Sequence, residues 1–402
     1  MSVQADLPTA GPGTARAAGP GKGFRRGTHR LVGPEQTWTV IRPLLPEFGI
    51  TRIADVTGLD DVGIPVYVAV RPASATLAVS QGKGVTHDLA RVSAAMENIE
   101  FAHAEDVPPA TRRGPAREVL DGQYDIRDLQ LVRGSLVSDS VVLGWLPGRT
   151  VAGGRPAWVP REYVQLSNAF RRSWAPPLFE TSTNGLASGN SVDEAALHGL
   201  YELIERDCLA DLSAIPRNEQ TRLDPSAVAD PDCQWLIERL NAAGNWFEII
   251  DATNRFGVPC YHVSIWSESF PLLTSGTGCH LDPAVALNRA LTEAAQSRLA
   301  IIAGTRESVP EQVYLLQHMR QERPAPLDGL LPVTRELRPD ESADSITADL
   351  LAVARTVLAQ TGADPIVVDI SRGHDGIAVT KTVVPGLRFD PSHGTTERIR
   401  PA

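Results

Sequence analysis

The 402-residue chain is poor in aromatic side chains: seven Trp, six Tyr and nine Phe, spread thinly and never interleaved with a basic stripe. Positive charge is in deficit too, with 38 Lys and Arg against 48 Asp and Glu and a formal net charge of -10. A surface that coats a nucleic-acid backbone needs the opposite balance, so no nucleic-acid partner is expected. Only four cysteines occur, Cys208, Cys233, Cys260 and Cys279. They form no CxxC pair and no zinc-like spacing, which argues against a zinc ribbon and suits a reducing cytoplasm. No apolar run approaches the ~18–20 residues that span a bilayer, so no membrane partner is expected. Arg25 and Arg26 are not followed by an apolar stretch, so the N-terminus does not read as a signal peptide. With 33 Gly and 31 Pro, the chain is not of low complexity.

What remains is ordinary globular composition, 42% apolar and 21% charged, enough for a large core. Residues 1–26 are rich in Gly, Ala, Pro and Thr and are expected to be a flexible tail, with one domain over 27–402. A short helix is expected from Pro34 to about Pro43, where proline opens the first turn and then ends it. β-Branched runs at Thr51–Val56, Ile64–Arg71 and Ala75–Ser80 read as strands. Gln81-Gly82-Lys83-Gly84 reads as a tight turn into a helix from about His87 to Glu105. Two further blocks repeat the theme. Strands near Val141–Trp145 and Ala157–Pro160 precede a helix over Val192–Leu212, and strands near Phe247–Asp251 and Pro259–Trp266 precede one over Pro283–Ile302. Residues 309–360 read as further helices, and Ile366–Ile370 and Ile377–Val384 as closing strands. The fold class is α+β: a single large domain of mixed or antiparallel sheets packed against long helices.

The three long helices carry the chemistry. Ser93, Glu97 and Glu100 fall at i, i+4 and i+7 on the first, opposite Leu89, Val92 and Met96. Glu194, His198, Glu202 and Glu205 advance along one face of the second, followed by Arg206. Arg289, Glu293 and Gln296 repeat the spacing on the third. Carboxylates that converge on one cavity repel one another unless a cation neutralises them. Mg²⁺ takes oxygen ligands and is commonly shared between carboxylates and nucleotide phosphates. Glu97, Glu100, Glu202 and Glu205 are therefore candidate metal ligands, with Lys83, Arg206 and Arg289 as candidate phosphate ligands. The ordinary reading of any one such helix is a solvated acidic face, and Arg289 with Glu293 could be a simple i, i+4 ion pair. The small, polar segment Thr181–Asn190 before the second helix could admit an anion or merely cap the helix. It contains neither GxxxxGK[ST] nor GxGxxG. Cys208 reads best as a buried packing residue. The Cys279-His280 pair invites a metal reading that no second pair in the sequence supports.

Taken together, QGKGVTHDLARVSAAMENIE (81–100), NGLASGNSVDEAALHGLYELIERD (184–207), ALNRALTEAAQSR (286–298) and Val384-Pro385-Gly386 resemble the YcaO family over about Gly27 to Asp390. The resemblance implies a helix-built ATP site without a P-loop, in an enzyme that activates peptide-backbone amides. By motif, Glu97, Glu100, Glu202 and Glu205 would hold Mg²⁺. Asn190 and Glu194 would contact nucleotide or metal, Arg206 and Arg289 would contact phosphates as catalytic groups, and Glu293 would support them. Ser93 and Lys83 lie in the first motif, and Arg30 and Thr37 align with nucleotide contacts. In the implied reaction a nucleophile adds to the amide carbonyl, the oxyanion takes the γ-phosphoryl group of ATP, and the oxygen leaves as phosphate.

Two features bear on the nucleophile. Azoline-forming members end in a PxPxP tail, whereas this chain ends Arg398-Ile399-Arg400-Pro401-Ala402. GITRIADVTGLD (49–60) and the following GIPVYVAVRP resemble the subgroup that works with a TfuA partner and is associated with thioamides. Thioamidation with external sulfide and a TfuA-like partner is therefore the favoured expectation. An azoline- or amidine-forming cyclodehydratase and a non-catalytic ATP-binding scaffold are the alternatives. No separate leader-peptide-binding domain is expected, and the resemblance allows a homodimer.

Overall fold

The computed structural model describes residues 19–166, 176–304, 321–324 and 332–387. Residues 1–18 of the expected N-terminal tail, residues 388–402, and 309–320 and 325–331 of the segment expected to be helical lie outside the described residues, while Ile346–Thr361 is a helix as expected. The fold is α+β, and its contacts separate into two compact units: residues 1–22, 103–203 and 343–402, and residues 23–102 and 204–342.

The first unit is built on a six-stranded antiparallel sheet. Its strands run in the order Arg112–Pro115, Val142–Thr150, Ile366–Asp369, Ala378–Val383 and Leu186–Gly189, with Pro156–Pro160 also paired to Val142–Thr150. Leu186–Gly189, expected within a polar loop, is a fully buried strand that puts Gly189 opposite Ala378 and Leu186 opposite Lys381. Small residues are needed there because the helix that follows lies directly on the strand. Residues 19–22, assigned to the tail by composition, are tied down in this unit. Gly21 bridges Ser345, and the buried Lys22 ammonium lies 2.7 Å from Asp349.

The second unit holds a three-stranded antiparallel sheet, Arg52–Asp55, Val66–Val70 and Val79–Lys83. It also holds a five-stranded sheet in the order Thr274–Cys279, Cys260–Trp266, Trp246–Asp251, Thr221–Leu223 and Val333–Thr334, whose last pair alone is parallel. The core joins Ile64, Leu236, Leu240, Val263, Ile265 and Leu287. The expected turn at Gln81–Gly84 is mostly strand, because Val79–Lys83 pairs with Val66–Val70 and puts Lys83 opposite Val66. Gly82 marks a close approach, not a reversal: a Cβ there would collide with Ala94 N and Ala90 O of the first long helix. Gly276 does the same against Ala290 and Ala294 of the third.

The three long helices form as expected, at His87–Glu105, Val192–Ala214 and Pro283–Ala303. Thr86 Oγ1 accepts from Leu89 N at the start of the first. Asp282 caps the third through Ala284 N and Val285 N, Pro283 occupies its first turn, and Gly304 ends it in a left-handed conformation.

Candidate functional site

Most of the residues singled out by spacing fall in the second unit, and four of them meet. Lys83 Nζ, at the end of its strand, lies 2.5 Å from Glu293 Oε2 on the third helix. Burial alone would raise the Glu293 carboxyl. Lys83, Arg206 and Arg289 outweigh that and hold it at about 2. Three cations thus act on one carboxylate. Arg289 Nε is buried with no hydrogen-bond partner. An orphaned guanidinium donor beside two further cations is a donor set suited to phosphate oxygens. Arg289 and Glu293 are therefore not just a surface i, i+4 pair.

The acidic residues of this unit are not a solvated face either. Glu205 is 3% exposed, with Oε1 3.4 Å from Arg206 Nη1. Glu97 and Glu100 are half-buried, as is Ser93. Gln81 N–H donates to Glu97 Oε2 at 2.8 Å, so the edge strand of the three-stranded sheet holds that carboxylate. The backbone contact at Gln81 has no signature in residue spacing. Among the described residues, no three His, Cys, Asp or Glu side chains stand close enough together to hold a metal ion. Arg30 is fixed by backbone bonds in both directions with Phe24, and Thr37 is buried with its hydroxyl 3.4 Å from Gly33 O.

His262, which spacing does not reveal, is a half-buried imidazole with Nδ1 3.1 Å from Thr277 Oγ1. Burial lowers its basicity, and Glu293 partly offsets that. Cys208 is 1% exposed, and its thiol is pushed up by a hydrogen bond with Cys260 and by burial. It is a protonated packing residue, not a nucleophile.

In the first unit, Glu194 is 2% exposed and Oε1 accepts from both Asn190 N and Asn190 Nδ2, at 3.1 and 3.0 Å. Ser191 Oγ accepts from Glu194 N, which is one half of a capping box, while Glu194 Oε1 reaches back to Asn190. Glu202 and His198 are half-buried. Glu202 acts on Lys381, a 1%-exposed lysine whose ammonium lies 2.6 Å from Ser182 O. Burial lowers Lys381 to about 8, with Glu202 pulling the other way. A lysine inside the buried Ala378–Val383 strand was the only sequence signal for it.

Residues 81–388 match the family described as YcaO cyclodehydratase, ATP- and Mg²⁺-binding. This chain belongs to the YcaO family. An uncharacterised protein of Mycobacterium tuberculosis is 37% identical over 376 residues, 90% of this YcaO chain and 83% of the relative. An uncharacterised Rhizobium leguminosarum bv. trifolii protein from the tfuA 3′ region is 34% identical over 387 residues, covering 90% and 89% of the two chains.

The solved structure of YcaO from Methanopyrus kandleri bound with AMPPCP and Mg²⁺ superposes with a TM-score of 0.70 at 23% identity, over 95% of this chain and 99% of that one. A heterocyclase in complex with substrate and cofactor gives 0.73 at 22% identity; this YcaO chain spans 53% of its length. At that level of identity, the likeness extends to the fold alone.

The family's ATP and Mg²⁺ dependence fits the residues present. The Lys83, Arg206, Arg289 and Glu293 group, with its orphaned Arg289 donor, suits phosphate. Glu97, Glu100 and Glu205 are carboxylates of the type that Mg²⁺ takes, but among the described residues they are not gathered into a group of three that would hold the ion by itself, so phosphate and water oxygens would have to complete its shell. Among the described residues, no helix is long and apolar enough to cross a membrane.

Proposed function

We propose that this YcaO protein activates a backbone amide of a ribosomally made peptide or protein, and that external sulfide then converts the amide to a thioamide with the help of a TfuA-like partner. The observation that carries the amide-activating part is the convergence of Lys83, Arg206 and Arg289 on Glu293, with Arg289 Nε buried and unpartnered. ATP would supply a phosphoryl group that turns the amide oxygen into a leaving group. Arg206 and Arg289 donate to oxygens that gain charge during the transfer. Lys83 is held in place by Glu293, so these cations are fixed before substrate arrives. The metal-ligand role of Glu97, Glu100, Glu202 and Glu205, and the nucleotide contacts of Ser93, Asn190, Glu194, Arg30 and Thr37, belong to the same proposal and rest on the motif match. For the thioamide, one sulfur replaces one oxygen and phosphate carries the oxygen away. That choice and the TfuA-like partner are supported by the tfuA-region relative. A cytoplasmic site of action is supported by four free cysteines.

The resemblance in fold to a heterocyclase favours a second reading, an azoline- or amidine-forming cyclodehydratase. A non-catalytic ATP-binding scaffold is the third, and the intact set of acidic and basic motif residues speaks against it. The test is mass spectrometry of a candidate precursor peptide encoded beside this gene, incubated with the protein, its TfuA-like neighbour, Mg²⁺-ATP and sulfide. Replacement of oxygen by sulfur is the expected result. Loss of one water moves the assignment to cyclodehydration. An unmodified peptide with no ATP consumed leaves only the scaffold.

A further inference from the structure

Near the start of the second unit, the chain makes a hairpin-like reversal. Phe24 and Arg30 exchange backbone hydrogen bonds at 3.0 and 2.9 Å, and Gly27 turns between them with φ +64°. This reversal lies against the opening turns of the third long helix. A Cβ on Gly27 would stand 2.9 Å from Val85 and 3.4 Å from the Asn288 side chain, whose Nδ2 is buried without a partner. Asn288 immediately precedes Arg289.

His29 closes the arrangement. It is 7% exposed, and its Nε2 lies 3.4 Å from Asp282 Oδ2. The other Asp282 oxygen, Oδ1, caps the helix through Ala284 N at 2.9 Å and Val285 N at 3.4 Å. His280, the histidine of the Cys279-His280 pair, is 5% exposed. Its ring meets that of His29 edge-on at 4.8 Å, and its Nδ1 accepts from Asp282 N at 2.9 Å. This is the histidine partner that the sequence did not offer to His280, although among the described residues no three His, Cys, Asp or Glu side chains form a group that could hold a metal ion.

Burial would raise the Asp282 carboxyl, but the hydrogen bond from His29, the Ala284 N–H and the two nearby histidines hold it at about 2. It stays an anion across the working range. One carboxylate therefore starts the helix that bears Arg289 and Glu293 and also grips the residue next to Arg30.

We propose that His29 is a positioning residue of the nucleotide site: through its Nε2 bond to Asp282 it fixes Arg30 in register with the helix that carries Arg289 and Glu293. The inference rests on the ATP-using function proposed above. Arg30 cannot shift without breaking the Phe24 bonds, the Asp282 bond or the Gly27–Asn288 approach. The phosphate-binding helix and the N-terminal segment thus arrive as one preformed piece.

Two near-isosteric substitutions separate this role from simple burial of a polar ring. Glutamine places an N–H donor as many bonds from Cβ as Nε2 of histidine. Asparagine places one only as far as Nδ1. His29→Gln should restore the bond to Asp282, and His29→Asn should not. The measurement is calorimetric titration of each folded variant with Mg²⁺ and a non-hydrolysable ATP analogue, with thermal melting in parallel.

His29→Asn should bind the nucleotide about tenfold more weakly, a loss of ~1.4 kcal/mol. His29→Gln should stay within about threefold of the wild type. Asp282→Asn, which keeps a capping oxygen but loses the anion, should resemble His29→Asn and still fold if the His29 variants do not. Equal binding by wild type, His29→Asn and Asp282→Asn overturns the positioning role and leaves the functional reading intact. Equal weakening in His29→Asn and His29→Gln also overturns it, because any polar change would then suffice. A wild-type protein that binds no nucleotide overturns the functional reading, and this inference with it.

Discussion

Lys83 Nζ and Glu293 Oε2 meet at 2.5 Å across 210 positions of the chain, joining the end of one strand to the middle of one helix. The pair is part-buried, with 18% and 26% of the side chains exposed. Arg206 and Arg289 add their fields, so the carboxylate is worth more here as an anchor for cations than as an acid or base.

The linkage has a definite sign. Glu293 sits at about 2 in the folded chain against an ordinary 4.5. Its contribution to stability is complete above the unfolded value and is lost as pH falls from about 4.5 toward 2. Lys83→Met removes the nearest cation and lets the folded value rise. The variant should lose less of its remaining stability over that window than the wild type does. Fluorescence-monitored urea unfolding at pH 6 and at pH 3.5 checks this. The gap between wild type and Lys83→Met should narrow at the lower pH, and a gap that widens would contradict the assignment.

Arg206 and Arg289 are expected to act on the transferring phosphoryl group, so their loss should be kinetic. Arg206→Ala or Arg289→Ala should lower the rate of ATP turnover on peptide substrate by about 10²–10³, the cost of one preorganised donor. Glu202→Ala should abolish turnover as well. All three should melt within about 3 °C of the wild type, since each parent side chain is half-buried or at the margin of the core. Full activity in any folded variant would remove that residue from the site.

Much of this is legible in the sequence. The three long helices show in the 3.6-residue apolar period, reinforced by Asp282-Pro283 at the start of one and a following Gly304. The acidic and basic stripes were readable because helical spacing is a local property. Strands built from small residues were not. Leu186–Gly189 and Thr274–Cys279 lack the β-branched and aromatic alternation that marks a strand, because neighbouring helices press on them. Gln81–Lys83 looked like a turn for the same reason. The approach of Lys83 to Glu293, or of His29 to Asp282, depends on tertiary packing and has no counterpart in spacing. Motif resemblance stood in for that geometry at the phosphate-binding residues and was silent at His29, His262 and Lys381.

Arg298, at the far end of the third helix from Asp282, makes a different kind of bond. It is 2% exposed and spans Asp60 Oδ2 at 2.8 Å, Asp60 Oδ1 at 3.0 Å and Ser267 Oγ at 2.8 Å. Burial pushes the Asp60 carboxyl up, and Arg298 opposes it. Arg298→Met leaves that carboxylate buried and unpaired and should cost about 3–5 kcal/mol in urea unfolding. The double variant Arg298→Met/Asp60→Leu should recover part of the loss. Simple addition of the two single costs would mean that the pair is not a coupled unit.

Gly82 supplies the sharpest test of the strand-on-helix arrangement, because its backbone needs no left-handed conformation and only space is at issue. A single methyl group there meets Ala94 N and Ala90 O, which are backbone atoms of a helix and cannot swing aside. Relief would require the Val79–Lys83 strand and the His87–Glu105 helix to separate, moving Lys83 from Glu293 and the Gln81 N–H from Glu97. Gly82→Ala should therefore cost about 3 kcal/mol, at the upper end of what overpacking imposes, and should weaken nucleotide binding even in the folded fraction. Gly58→Ala is the matched control: its Cβ would meet nothing within 4 Å, and the change should stay within ~0.5 kcal/mol. Thermal melts of both variants, with nucleotide titration of whatever folds, decide it. Equal stability for the two would mean that the helix does not lie on the strand as closely as the Gly82 contacts require.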